Sequence, residues 1–374
     1  MHPIANMATP LLSGWAAAGY GLRRGCSTFV LAQGEELLVG HNLDEPSEVP
    51  GLVVINKRGL AKESLSWEDL LTSRKPASAG GSWISRYGSA TFNPLGREFA
   101  DGGMNEAGLC VNEMTLDETR YADDASRPGM FMMLWIQYQL DNFESVEQVL
   151  ANLSEFSLDG WGWHFLVSDR EGNCAVIEFL DGKPLIYSGE ELPVPVLCNS
   201  PYLQETRELE EFEGFGGTKE VDLSDDSVSR FVHAAHMLKA YERNPSISAL
   251  EYAFEILAGL DRGRTRWSYV LDPRRLRVHF RTSAGRHVKS FDLAWFDLSC
   301  RAPAQVLDVN ADLAGDVSDE FLPYTPKANK RFIAEAFESL EGSSDFLGLL
   351  ESKGSTVERL VDSMADYPES TSCT

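Results

Sequence analysis

Apolar positions along this chain fall mostly into short runs that are either alternating or wholly hydrophobic, and each such run predicts a strand. The runs are Ser27–Ala32, Glu36–Gly40, Leu52–Asn56, Gly88–Phe92, Gly108–Met114 and His164–Ser168. They continue with Cys174–Leu180, Pro184–Tyr187, Val194–Cys198, Trp267–Leu271 and Leu276–Arg281. Turn-forming stretches separate them, among them Ala32-Gln33-Gly34, Asp169-Arg170-Glu171-Gly172-Asn173 and Leu180-Asp181-Gly182. A helical period appears instead in Gly129–Asp141, Ser145–Leu153, Ser229–Glu242 and Ser246–Leu257, with a cap expected at the start of the second. Hairpin-linked strands with helices in blocks imply an α+β fold with antiparallel sheets, not a βαβ array.

The two ends read differently. Residues 1–25 match no structural element, and they fit a secretory signal poorly. No Lys or Arg precedes the apolar stretch, Pro10 and Ser13-Gly14 interrupt it, and Arg23-Arg24 stand where small residues belong. The expectation is a propeptide in a cytoplasmic protein, with a periplasmic or secreted location as the alternative. Residues 204–228 are acidic and read as a surface excursion. From 312 to 374 the chain is rich in Ser, Asp and Glu around one amphipathic helix, Asn329–Leu340, which predicts a peripheral C-terminal extension with a frayed end.

Composition narrows the function classes. Against 33 Lys and Arg stand 57 Asp and Glu, a net charge of −24, so nucleic acid and anionic membrane surfaces are disfavoured partners. No apolar run is long enough to span a bilayer. The six cysteines, Cys26, Cys110, Cys174, Cys198, Cys300 and Cys373, are too sparse for a disulfide scaffold and show no zinc spacing. His233 and His236 lie three apart on one predicted helix, but no third metal ligand accompanies them. Cys110, Cys174 and Cys198 sit inside strand-like runs, the usual place of a buried inert thiol. Cys26 introduces its strand instead.

Four segments carry candidate chemistry: Gly25-Cys26-Ser27-Thr28, Gly40-His41-Asn42-Leu43-Asp44, Leu197-Cys198-Asn199-Ser200-Pro201 and Val228-Ser229-Arg230-Phe231. Taken singly, each has an ordinary explanation as an inert cysteine, a hairpin return, a turn or a surface arginine. In this order they resemble the choloylglycine hydrolase family of linear-amide hydrolases. So do Phe99-Ala100-Asp101-Gly102-Gly103-Met104-Asn105-Glu106-Ala107-Gly108-Leu109, Trp135–Asp141, Trp163–Asp169, Ala175–Phe179 and Thr265–Tyr269. The likeness extends over roughly residues 26–298.

The resemblance implies a four-layer αββα N-terminal-nucleophile hydrolase domain over 26–311, after removal of a 1–25 leader. It implies Cys26 as nucleophile, its freed α-amine as base, Asp44 as the group orienting both, and Arg230 as the charge that stabilises them. Asn199, with a second position near Thr115, would form the oxyanion hole. No cofactor or metal is implied. The partner is a small acyl amide, with penicillin V, N-acyl amino acids, N-acyl homoserine lactones and bile salts all eligible, and homo-oligomerisation is left open. An acyltransferase using the same thioester and a non-catalytic ligand-binding homologue are the alternatives. His41 departs from the family, whose better-known members carry Arg there. It reads equally as a group tuned to a different substrate, titrating near neutrality, or as a histidine with no role.

Overall fold

The computed structural model describes residues 25–45, 48–73, 81–221, 226–243, 247–338 and 344–374. The expected leader therefore lies outside the described residues, apart from Gly25. Alternation of apolar residues builds two sheets that share one interior. Seven strands form the first in the order Val196–Leu197, Ser27–Gln33 (β1), Glu36–Asp44 (β2), Thr265–Asp272, Arg277–Thr282, Lys289–Asp292 and Gly315–Asp316. Its pairings are antiparallel except the last. The second sheet holds nine antiparallel strands. Their order is Lys183–Ser188, Cys174–Leu180, Trp163–Ser168, Cys110–Thr115, Gly102–Asn105, Ser89–Asn93, Leu52–Asn56, Gln305–Asp308 and Leu322–Pro323.

The period of two decides which neighbour each residue meets. Cys110, Met114, Leu166 and Val176 point into the core between the sheets. Val111, Phe165, Val167 and Ile177, the alternate positions, point to the outer core under the Met132–Asn142 helix. The helices Ser227–Arg243 and Ala249–Leu260 cover the opposite outer face, where Asn42 Nδ2 donates to the Leu257 carbonyl at 2.8 Å. The layers are therefore helix, sheet, sheet, helix. Between the sheets, Tyr269 stacks on Phe92 with ring centroids 4.1 Å apart, and its hydroxyl donates to Asn112 Oδ1 at 2.7 Å. Position 102 must be glycine for that bond, since a Cβ there would lie 2.2 Å from the Tyr269 oxygen.

Most predicted elements form within a residue or two of their expected ends. Ser145 caps its helix, its hydroxyl accepting from the Gln148 N–H at 3.3 Å. Two regions differ. The supposed surface excursion opens with a helix, Tyr202–Leu209, whose Tyr202, Glu205 and Leu209 are buried. Only one residue in three or four of that helix faces inward, and polar residues fill most of the other positions, which masks the inward face.

From 312 onward the described residues form three helices, Pro326–Glu338, Ser344–Ser352 and Val357–Ser370. They send Ile333, Phe337, Phe346, Leu350, Leu360, Met364 and Tyr367 into the outer core of the second sheet. The last residues, Ser372–Cys373, pair as a strand with Leu60–Glu63, and Cys373 is disulfide-bonded to Cys300. Beneath them Lys62, fully buried, lies 2.5 Å from Glu98 and 2.9 Å from Asp141. Arg97, next to Glu98, stacks on Tyr324 of the C-terminal segment.

The bridge joins positions 73 residues apart, so opening it releases a long loop in the unfolded chain. Cys373→Ser is expected to lower unfolding free energy by about 2–4 kcal/mol, read from denaturant midpoints under non-reducing conditions. An unchanged midpoint would show that the strand pairing alone secures the C-terminus.

Candidate active site

Every sequence-predicted residue except His41 converges on one end of β1. Cys26 immediately precedes that strand and is buried, with 3% exposure, as is Gly25. The antiparallel return of β2 pairs Ser27 with Asn42, which carries Asp44 past the start of β1. The backbone N–H of Asp44 faces the Cys26 sulfur, while its carboxylate accepts from the Thr265 hydroxyl at 2.6 Å. Arg230 comes from the first turn of the helix lying on β1. Its Nη1 donates to the Cys26 carbonyl at 2.6 Å and to Ser27 Oγ at 2.8 Å, and its Nη2 donates to Asn199 Oδ1 at 2.9 Å. Asn199 Nδ2 in turn donates to the Thr115 carbonyl at 2.8 Å. Thr115 therefore takes part through its backbone.

The turn bearing Asn199 is fixed on all sides. The Asn199 N–H donates to Ser227 Oγ at 2.6 Å, and Ser227 Oγ donates to Glu205 Oε1. Glu205 also accepts from the N–H groups of Cys198 and Ser200, both at 3.4 Å. From the second sheet, His164 Nε2 lies 2.8 Å from the Cys198 carbonyl and its Nδ1 3.0 Å from Glu178 Oε1. Both ring nitrogens thus face oxygen atoms of the neighbouring elements. Sequence reasoning missed His164, Glu178, Glu205 and Ser227. A histidine in Trp163–Ser168 and a glutamate in Cys174–Leu180, each amid apolar residues, were the available signals. A buried polar side chain demands a partner.

Burial raises the Cys26 thiol well above its usual range, and the charges of Glu113, Asp44 and Glu45 raise it further. Glu113, also missed, accepts from the Cys26 thiol with Oε1 4.0 Å from Sγ. Its signal was a carboxylate inside the apolar run Gly108–Met114.

His41 pairs across β1 with Thr28 and stacks on Tyr269 at 4.8 Å. Burial lowers its pKa to about 3, and neither ring nitrogen has a hydrogen-bond partner among the described residues. The expectation that it titrates near neutrality is corrected by this setting. It brings no positive charge to the site. His233 and His236 lie elsewhere, and among the described residues no group of three or more His, Cys, Asp or Glu could hold a metal. Among the same residues no helix is long and apolar enough to cross a membrane.

Glu205 supplies a testable consequence. Burial pushes its carboxyl up to about 8, against the opposing pull of Ser227 and Arg230. The folded chain thus keeps a proton that the unfolded chain releases above about 4.5. This contribution to stability is complete below pH 4.5 and is lost as pH rises toward 8. Between pH 5 and 8, unfolding free energy is expected to fall more steeply for the natural chain than for Glu205→Gln. Parallel curves would refute the shift.

Comparison with known proteins follows the same residues. Residues 26–268 match the family described as linear amide C–N hydrolases, choloylglycine hydrolase family. A penicillin V acylase of Pectobacterium atrosepticum is 26% identical over 293 residues, covering 65% of this chain and 77% of that protein. The structure of the penicillin V acylase from Agrobacterium tumefaciens superposes with a TM-score of 0.69 at 25% identity, covering 80% of this chain and 98% of that one. A mutant of the conjugated bile acid hydrolase from Clostridium perfringens shares the fold, with a TM-score of 0.63 at 18% identity over 78% and 98% of the two chains. With a family match that starts at Cys26 and takes in the converging strands, this chain belongs to the choloylglycine hydrolase family of linear amide C–N hydrolases.

Proposed function

We propose that the protein hydrolyses a non-peptide amide joining an acyl group to a small amine, through a thioester on Cys26 exposed by loss of residues 1–25. The observation that carries this reading is the Arg230 guanidinium. It binds the Cys26 carbonyl and Asn199 Oδ1 together, and so sets nucleophile and amide at a fixed spacing.

A thiol becomes nucleophilic only as the thiolate. Burial among carboxylates opposes ionisation, so a base must sit close to the sulfur. The α-amine of an N-terminal Cys26 meets this need, because its usual pKa of about 7.7–8.0 leaves much of it neutral near pH 7. Asp44 would orient that amine, and Arg230 would hold the carbonyl of the same residue. An amide nitrogen carries two donors, of which Thr115 takes one from Asn199. The second would serve the oxyanion of the tetrahedral intermediate. Arg230 on Oδ1 fixes the amide in the orientation that presents nitrogen there.

The acyl partner is a small molecule, and the penicillin V acylase relatives favour an aryloxyacyl or similar apolar acyl group. The Cys300–Cys373 bridge supports a periplasmic or secreted location over the cytoplasm, since such bridges persist in oxidising compartments.

Cys26→Ala is expected to abolish turnover across penicillin V, N-acyl amino acids, N-acyl homoserine lactones and conjugated bile salts. Asn199→Ala should lower kcat by about 10²–10³, or about 2.7–4 kcal/mol, as for loss of one oxyanion donor. Full activity in Cys26→Ala, or an active preparation whose intact mass still includes Gly25, would exclude the scheme.

A further inference from the structure

The N-terminal nucleophile has an antecedent problem. Before the leader leaves, the nitrogen of Cys26 is part of a peptide bond and is no base, yet the bond to be broken is the one beside it. Gly25 and Cys26 are both buried. A Cβ placed on Gly25 would lie 3.0 Å from Arg230 Nη2 and 3.4 Å from Asp44 Oδ2. A separate protease needs an exposed, locally extended segment, which a buried bond packed against these groups does not offer. This burial favours cleavage of that bond from within, which needs a proton acceptor already in contact with the sulfur.

The groups around Cys26 differ in their fitness for that task. Asp44 presents its backbone N–H to the sulfur, a donor, while its carboxylate accepts from Thr265. His41 stands opposite Thr28 in the register, one pleat away from Cys26 along the strand. Arg230 is a cation spent on the Cys26 carbonyl, Ser27 and Asn199. Glu113 remains, with Oε1 accepting the Sγ hydrogen across 4.0 Å. Strand pairing with Phe165 and a bond from its own N–H to the Asp101 carbonyl, 3.1 Å long, fix its backbone. Two residues on, the same strand supplies the Thr115 carbonyl that holds Asn199. One strand therefore delivers a proton acceptor to the sulfur and the anchor of the amide that faces it.

We infer that Glu113 is the general base for self-cleavage of the Gly25–Cys26 bond, an inference that rests on the N-terminal Cys26 reading above. Glu113 takes the thiol proton, and the thiolate sulfur attacks the carbonyl carbon of Gly25. The C–N bond breaks as Glu113 passes that proton to the departing Cys26 nitrogen, leaving the leader as a thioester on sulfur. Water then adds to the thioester carbonyl. Its hydroxyl leaves with the leader as the Gly25 carboxylic acid, and its remaining proton returns to sulfur. The net change is peptide plus water giving acid plus amine, with no redox step and no further co-reactant. The amine so released is the base used in every later turnover, so Glu113 is needed once for each chain.

The test follows intact mass over time after cell-free synthesis of the full chain, comparing the natural sequence with Cys26→Ala, Glu113→Gln, Glu113→Met and Glu113→Asp. The natural chain is expected to lose residues 1–25 and Cys26→Ala to retain them. Glu113→Gln and Glu113→Met should release the leader at least about 100-fold more slowly, the usual scale of a lost general base. Glu113→Asp, which restores a carboxylate, should process at least about 10-fold faster than Glu113→Gln, a difference in the range of a general base's contribution. Thermal melts against the Cys26→Ala precursor identify which variants fold, and two uncharged replacements ensure that one misfolded protein does not decide the result. A folded Glu113→Gln or Glu113→Met that processes at the natural rate overturns the role of Glu113 and leaves the N-terminal cysteine intact. A natural chain that is active with its leader attached overturns both.

Discussion

A single buried cation holds this site together. Arg230 is almost fully enclosed, and its guanidinium spans the first residue of β1 and the turn that carries Asn199. Removing a charge from water is tolerated only where hydrogen bonds and opposite charge replace the solvent. Here the replacements are the Cys26 carbonyl, Ser27 Oγ and Asn199 Oδ1, with the Asp44 carboxylate close by. The Ser227–Arg243 helix, the start of β1 and the turn bearing Asn199 are therefore locked to one another by a planar fork that lysine could not reproduce. The spacing of Cys26 and Asn199 is a product of that lock.

The surroundings of the sulfur are acidic, and this governs what its chemistry requires. Burial and three carboxylates hold the thiol protonated in the chain as it stands. His41, stacked on Tyr269, is left neutral by burial. Activation of the sulfur must therefore come from a base in contact with it, not from a cationic field. In the proposed scheme the peptide-bonded and free forms of Cys26 would meet that demand with different groups, a side-chain carboxylate in one and the residue's own amine in the other.

Beyond the matched region the chain is structurally committed, not appended. Three C-terminal helices fill one side of the outer core, and the final strand extends the Leu60–Glu63 edge. Lys62 on that edge is buried between Glu98 and Asp141, with Trp83 Nε1 and Gln137 Nε2 also donating to Asp141, each at 2.8 Å. Such a cluster stands only while water is excluded, because one lost partner leaves an uncompensated charge. Arg97 beneath Tyr324 and the Cys300–Cys373 bridge show the C-terminal segment supplying part of that cover.

Local pattern determined much of this protein. Periods of two and 3.6 report which side of an element meets apolar neighbours, so strands, helices and the α+β class were legible without a partner in view. The segments around Cys26, Asp44, Asn199 and Arg230 were legible as motifs for a related reason: each is contiguous. Tertiary structure decided the remainder. Glu113, His164, Glu178 and Glu205 come from separate elements, and their meaning lies in what burial brings within hydrogen-bond reach. The partner of Cys300 was equally hidden, because Cys373 lies 73 residues away in sequence and is set beside it by the pairing of the last strand. His41 shows the limit most clearly. Its identity suggested a group that titrates near neutrality, but enclosure beside Tyr269 removes the water that would solvate its charge.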